Sequence, residues 1–381
     1  MKCPDDELRK AWDHGLVHAR KRPRPDTRPG TRRFMVFLAV AWAAAWLGLP
    51  GAAAAHGAVP SDPPDALNLL FGWNFEPAIM LPLLGAAVVW WRLLGAVDRA
   101  HPDHPVPELQ RWCFLGGLAV IALALDSGVA RYDTALFSVH MVQHVLLTLV
   151  APPLLVLGAP ITQLLRASSS AARNRRILPV LQSHVVRFFG HPVVAGLLLA
   201  GVMWATHFSP LFDRALEDPL VHEFEHALYL VAGILFWMPA IGLDPTPRRV
   251  GYPARIAYIF LQMPQNSFLA MAILFAGAPL YGHYATLGSP YGIDALADQR
   301  LAAGIMWFVG DVIFLIALLG VLAAWMRSEE RGSAAAERRA DVERAAIRER
   351  ETVLRDRRAQ PAPQDQTAPG APGPEPSTSE R

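Results

Sequence analysis

Eight stretches of this 381-residue chain are apolar over about the 20 residues that a helix needs to cross roughly 30 Å of hydrocarbon. With 52% hydrophobic and only 18% charged residues, one or two ordinary soluble domains are excluded, and an all-α, polytopic membrane helix bundle is expected. The first stretch, Phe34 to about Leu49, follows Arg32 and Arg33 and ends in Pro50-Gly51 with small residues at Ala53 and Ala55. It reads as a signal peptide cut before His56, or as a first membrane helix that is kept.

Seven spans follow, at about Pro77–Val97, Arg111–Ala130, Ala135–Leu157, Pro192–Phe208, Val221–Ile241, Ala254–Ala276 and Leu301–Trp325. The implied organisation is a basic cytoplasmic extension over 1–33, the signal or helix over 34–55 and an extracytoplasmic segment over 56–75. A seven-helix domain over 76–326 and a cytoplasmic tail over 327–381, charged and then Pro-, Ala- and Ser-rich and disordered, complete it. Arg166, Arg173, Arg175, Arg176 and Arg187 share one loop, and Arg248, Arg249 and Arg255 another. The preference of Arg and Lys for cytoplasmic loops places both inside, while the loops holding Asp213, Glu217, Asp218, Asp294 and Asp298 face outside.

The formal net charge of +2 is too small and too scattered to support nucleic-acid binding. The two cysteines, Cys3 and Cys113, lie far apart, so neither a disulfide framework nor a thiolate site can be built from them. Metal chemistry, if there is any, falls to His, Met and carboxylates. An ionisable residue near the middle of a span costs about 2.5 to 3.5 kcal/mol, whereas each Leu or Ile returns only about 0.3 to 0.6. Asp126 and Asp311 therefore need partners inside the bundle, either as a helix-to-helix hydrogen bond or as acceptors beside a polar cavity.

The histidines carry more. The topology gathers His140, His144, His207, His222, His226 and His283 on one leaflet, the outer one. In His140-Met141-Val142-Gln143-His144 and in His222-Glu223-Phe224-Glu225-His226 the spacing of four puts both rings on one helix face, with Cβ atoms about 6 Å apart. Two such helices can offer four nitrogens to one ion, with His207 and His283 as entrance or exit ligands. Imidazole suits copper, zinc, iron and nickel, and thioethers within the spans, Met141 first among them, add a preference for Cu(I) over Cu(II). Copper is the leading expectation and zinc the alternative. Gln143, Glu225, Asp126 and Asp311 are candidates to orient the ligating rings or to line a polar cavity.

His222-Glu223-x-x-His226 also satisfies the zinc-protease pattern, with Glu223 as the base that activates water. Its obvious third ligand, Asp244, lies at the far end of the same span, about 27 Å away at 1.5 Å per residue. Pro152-Pro153 in the third span and Pro264 in the sixth break the helix ladder and free carbonyls that need partners.

The segment from Ser138 to Pro160, which contains the His140/His144 pair and Pro152-Pro153, resembles the hallmark of the CtaG family of cytochrome c oxidase assembly factors, the kind associated with caa-type oxidases. Glu225-His226 with Phe236-Trp237, Ala278 to Tyr284 with His283, and Asp298-Gln299 leading to Met306 and Asp311 resemble further segments in the same order. The resemblance runs from about Asn68 to Met326 and implies a multi-pass protein of the bacterial plasma membrane, without turnover of its own. It implies help in bringing copper to the catalytic subunit of the oxidase, from a possible periplasmic donor. His140, His144, His226 and His283 inherit the copper role, while the Arg-rich start and the charged tail inherit none. A copper permease, with a thin inner path at Gln262, Met263 and Asn266, and a haem protein with His140 and His226 as axial ligands are the rivals from other classes.

Overall fold

A computed structural model of the chain describes residues 59–246 and 248–359. The basic extension, the signal or first helix, His56 and the Pro-rich end lie outside the described residues. Among those described, the secondary structure is helical without strands. Of the described residues, those up to Ile316 form one compact unit and those from Ala317 a second.

Six helical segments are long and apolar enough to span a membrane, and a bent pair brings the number to seven. α1 (Pro77–Ala100) starts on a proline, whose missing N–H costs nothing in a first helical turn. Only Trp90, Leu94 and Val97, one helical stripe, are buried on it. They meet α2 (Glu108–Asp126), where the Trp90 ring stacks on Phe114 at 4.3 Å and its indole N–H donates to the Arg111 carbonyl at 3.1 Å. The rest of α1, with Leu81, Leu84, Val88 and Trp91 exposed, is a surface for lipid.

The third span is broken rather than straight. α3 (Phe137–Val145) runs through a π-helical turn, Leu146–Val150, into α4 (Ala151–Leu157), and α5 (Pro160–Ala167) follows after a turn in which Ala159 is left-handed at φ 51°. Pro152 has no N–H to return to the Thr148 carbonyl, and the Trp237 indole supplies the missing donor at 3.2 Å. Close approach of the two helices depends on Gly233, where a Cβ would stand 2.7 Å from both the Thr148 oxygen and Pro152 Cγ.

α6 (Pro192–His207) occupies the expected fourth span but is short for one, and the chain bends by 69° beyond it into α7 (Leu211–Glu217). α8 (Pro219–Ile241) is capped by Asp218, which accepts from the Leu220 N–H at 2.9 Å. Its buried stripe begins His222, Glu225, His226, Tyr229 and continues through Gly233, Phe236 and Trp237. α9 (Tyr252–Leu274) buries Gln262 and Asn266 around Pro264, and the Asn266 amide donates to the Met306 carbonyl at 3.2 Å. After the short α10 (Gly282–Thr286), α11 runs unbroken over Ala295–Ala359.

Away from the histidines two carboxylates are fully paired. Asp244 accepts from the Ile161 and Thr162 amides at 3.2 and 2.7 Å and from the Thr162 hydroxyl at 2.8 Å, capping α5 from across the bundle. Asp98 accepts from Arg111 at 2.7 Å and from the Val106 amide at 3.0 Å, which closes the α1 to α2 connection.

Candidate metal centre

The start of α3, the end of α6 and the start of α8 meet at one end of the bundle, because the i, i+3, i+4 spacing on α3 and α8 turns their polar residues toward each other. His140 and Glu225 are fully buried, and His222, His144, His207 and His226 are exposed by no more than 3%. His140 and His222 stack at 5.4 Å with rings 17° apart, and His222 lies 4.2 Å from His226. His144 lies 4.1 Å from His140 and 5.9 Å from His207, centre to centre.

Two groups of donors emerge. His140, His222 and Glu225 form one, and Asp133, His222 and His226 the other; within each, the candidate ligand atoms lie within 4.8 Å of one another. A cation held at roughly 2.0–2.1 Å by each donor sets neighbouring donors roughly 3.4 Å apart in a tetrahedron, so a small inward movement would close either group. The present gaps are too long for hydrogen bonds: 3.9 Å from His140 Nε2 to Glu225, 3.8 Å from His144 Nε2 to Glu225, and 3.8 Å from His222 Nε2 to Asp133. Both ring nitrogens of His140 and of His144, and both oxygens of Glu225, are buried without a hydrogen bond. Burying such groups unpaired costs about 1–3 kcal/mol each, a cost that an ion held among them would offset.

The surrounding bonds set the tautomers. Gln143 donates through its amide to the Ala124 carbonyl at 2.9 Å, which turns its oxygen toward His226 Nε2 at 3.0 Å. Nε2 of His226 is therefore the protonated nitrogen, and Nδ1 is the one available to a metal. His207 Nδ1 donates to the Met203 carbonyl at 2.7 Å and leaves Nε2 as its basic, buried nitrogen. Tyr229, beside His144 at 4.3 Å, is tied by its hydroxyl to Thr206. Asp133 sits in the connection before α3 with its backbone carbonyl accepting from the Tyr284 hydroxyl at 2.6 Å, and burial pushes its carboxyl up to about 8.

Of the residues expected from sequence, His140, His222, His226 and Glu225 come together in the two groups, with His144 and His207 packed against them and Gln143 orienting His226. Glu225, expected to orient a ring, stands among the donors themselves. His283 is half-buried and uses Nε2 on the Thr134 carbonyl at 2.9 Å, bracing the connection that carries Asp133. Met141 packs with Phe137 and Phe212 in an apolar cluster. Asp126 and Asp311 are engaged elsewhere, accepting from the Glu76 amide at 2.9 Å and from the Ser267 hydroxyl at 2.8 Å. Glu223 belongs to neither donor group, and Asp244 is occupied in capping α5. Asp133 is the donor that sequence reasoning missed: it lies outside both histidine pairs, in a short connection with no motif around it.

Comparison with known proteins gives the centre its setting. The family described as cytochrome c oxidase caa3 assembly factor (Caa3_CtaG) matches residues 69–328, a stretch that holds every donor named above. An uncharacterized protein of Mycobacterium bovis is 32% identical over 291 residues, covering 74% of this chain and 44% of its own length. Another, of Mycobacterium leprae, is 32% identical over 287 residues, covering 74% and 43%. The chain thus spans less than half the length of these relatives. No solved structure matches it.

Proposed function

The chain belongs to the caa3-type CtaG family of cytochrome c oxidase assembly factors, and from that premise we propose that its histidine centre holds copper in transit to the oxidase. A role in oxidase assembly comes with the family; the cargo, the donors and the recipient are this reading's own. The observation that carries it is the set of buried, unpartnered donors on His140, His144 and Glu225, gathered with His222 and Asp133 at one end of a membrane bundle. Such a set is costly when empty and fits a borderline or soft cation.

Copper would enter as Cu(I), held by the imidazoles with Glu225 and Asp133 balancing its charge. His222 belongs to both donor groups, so a turn of its ring would shift the ion from the side of His140 and Glu225 to the side of His226 and Asp133. Gln143 keeps His226 in one tautomer throughout. No thiolate sits among the donors, so the site would hold copper loosely enough to release it. The expected recipient is the catalytic subunit, met on the extracytoplasmic face of the bacterial plasma membrane, where a periplasmic donor would load the centre. This is a transfer role without catalysis.

The test is copper content after anaerobic Cu(I) loading of the full-length, detergent-purified protein, with oxidase activity read in the same host. Wild type should hold copper near one equivalent, and a His140→Ala, His222→Ala variant should lose it together with oxidase activity. Equal copper in both proteins would remove the centre from the function.

A further inference from the structure

His144 is left out of both three-donor groups, yet its two ring nitrogens are buried without a hydrogen bond. It has a second neighbourhood. Beside it a partly open chamber of about 20 Å³, room for one water or one ion, is lined by His144 together with Met141, Met203 and Met306. The three thioethers come from three different helices: Met141 one turn from His144 on α3, Met203 on α6 and Met306 on α11. Thr148, Gln262, Gln265 and Asn266 also line it, and the Thr148 hydroxyl and the Gln265 amide nitrogen are buried without partners.

Packing accounts for the contacts of the methionines, since Met141 and Met306 belong to one apolar cluster and Met203 packs against it, but not for the polar atoms among them. A chamber filled for stability would be lined by apolar groups or would pair its polar atoms. Here an imidazole, a hydroxyl and an amide remain unsatisfied around a void with three polarisable sulfurs. Thioether and imidazole together select soft monovalent ions over Zn(II) or Mg(II), which prefer harder or more charged donors. The π-helical turn at Leu146–Val150 rotates Thr148 into the lining, and such turns recur at functional sites.

We propose that this chamber is a second site, for a soft monovalent cation such as Cu(I) or Ag(I), in which Met141, Met203 and Met306 with His144 are the donors. It extends the copper reading and shares only His144 with it, so the thioether site and the histidine centre can fail separately. His144 faces both: its Nε2 lies 3.8 Å from Glu225 of the histidine centre, and its ring borders the chamber. An ion leaving the centre would thus meet thioethers within one side chain's movement.

Silver titration of the full-length protein in detergent tests this, because Ag(I) is soft and does not change oxidation state. Wild type should bind silver at least tenfold more tightly than a Met203→Leu, Met306→Leu variant, whose Met-to-Leu exchanges nearly conserve volume and should leave folding intact. The His140→Ala, His222→Ala variant should keep its chamber silver; loss of silver there would overturn the proposal by placing the ion in the histidine centre. X-ray absorption of silver-loaded wild type needs no variant to fold. Sulfur neighbours support the site, and nitrogen or oxygen neighbours alone overturn it.

Discussion

The two ends of the bundle treat buried polar groups in opposite ways. At the Asp244 end every oxygen of the carboxylate is used, on two amides and a hydroxyl of α5, and the partly exposed Asp98 is likewise shared between Arg111 and the Val106 amide. At the histidine end the ring nitrogens of His140 and His144 and the carboxylate oxygens of Glu225 are buried at least as deeply, at distances too long for hydrogen bonds to one another. In lipid a polar group cannot fall back on water, so a paired one is scaffold and an unpaired one is held open for something that comes and goes. Saturated polar contacts mark where the fold is held; unsaturated ones mark where it works.

The largest effect that could break this contrast is at Glu225. Exchange to Met, similar in size and apolar, should weaken copper binding at least tenfold while the metal-free protein unfolds at the same temperature or higher, since a buried unpaired carboxyl is removed. A clear drop in metal-free stability would mean that Glu225 is structural and the contrast misplaced. At the other end Asp244→Ala should do the reverse. It leaves the first turn of α5 without its acceptor, should cost about 1–3 kcal/mol in thermal unfolding, and should leave copper content unchanged.

Between the two ends, Trp237→Phe removes the indole donor that meets the Thr148 carbonyl beside Pro152. A loss of about 1 kcal/mol is expected, read by denaturation in detergent; no loss would show that the π-helical turn satisfies this carbonyl in another way. The smallest effect is on pH. Burial pushes the Asp244 carboxyl above the usual carboxylate range, against the hydrogen bonds from Thr162 and Ile161, so the folded chain binds this proton more tightly than the unfolded one. The stability linked to it is full below the unfolded value of about 3.9 and fades as pH rises through the folded value. Measured against Asp244→Asn, wild type should therefore gain in unfolding temperature as pH falls toward about 4, and a flat difference would contradict this.

Much of the bundle was legible beforehand because span length and helical period are local properties. The six long helices lie where apolar length places them, and the buried faces of α3 and α8 follow from residues spaced three and four apart. The bend after α6 was not legible: Pro192–Phe208 reads as one straight span, and the turn toward Leu211 depends on Phe212 finding its place among Phe137 and Tyr281. The histidine pairs were visible as pairs. Glu225 was visible as a partner for a ring, but its rank as a donor depends on α3 lying opposite α8.

By itself the sequence determined a helical membrane protein, the pairs that share a helix face and the residues of the family's pattern, since each follows from spacing along one chain. Tertiary structure alone decided that His222 serves two donor groups, that Asp133 joins one of them from a connection without a motif, and that methionines from three helices border one chamber with His144. The physical reason is distance. Hydropathy and period act over a few residues, whereas a chamber is lined by side chains that the sequence keeps up to 165 positions apart, as between Met141 and Met306.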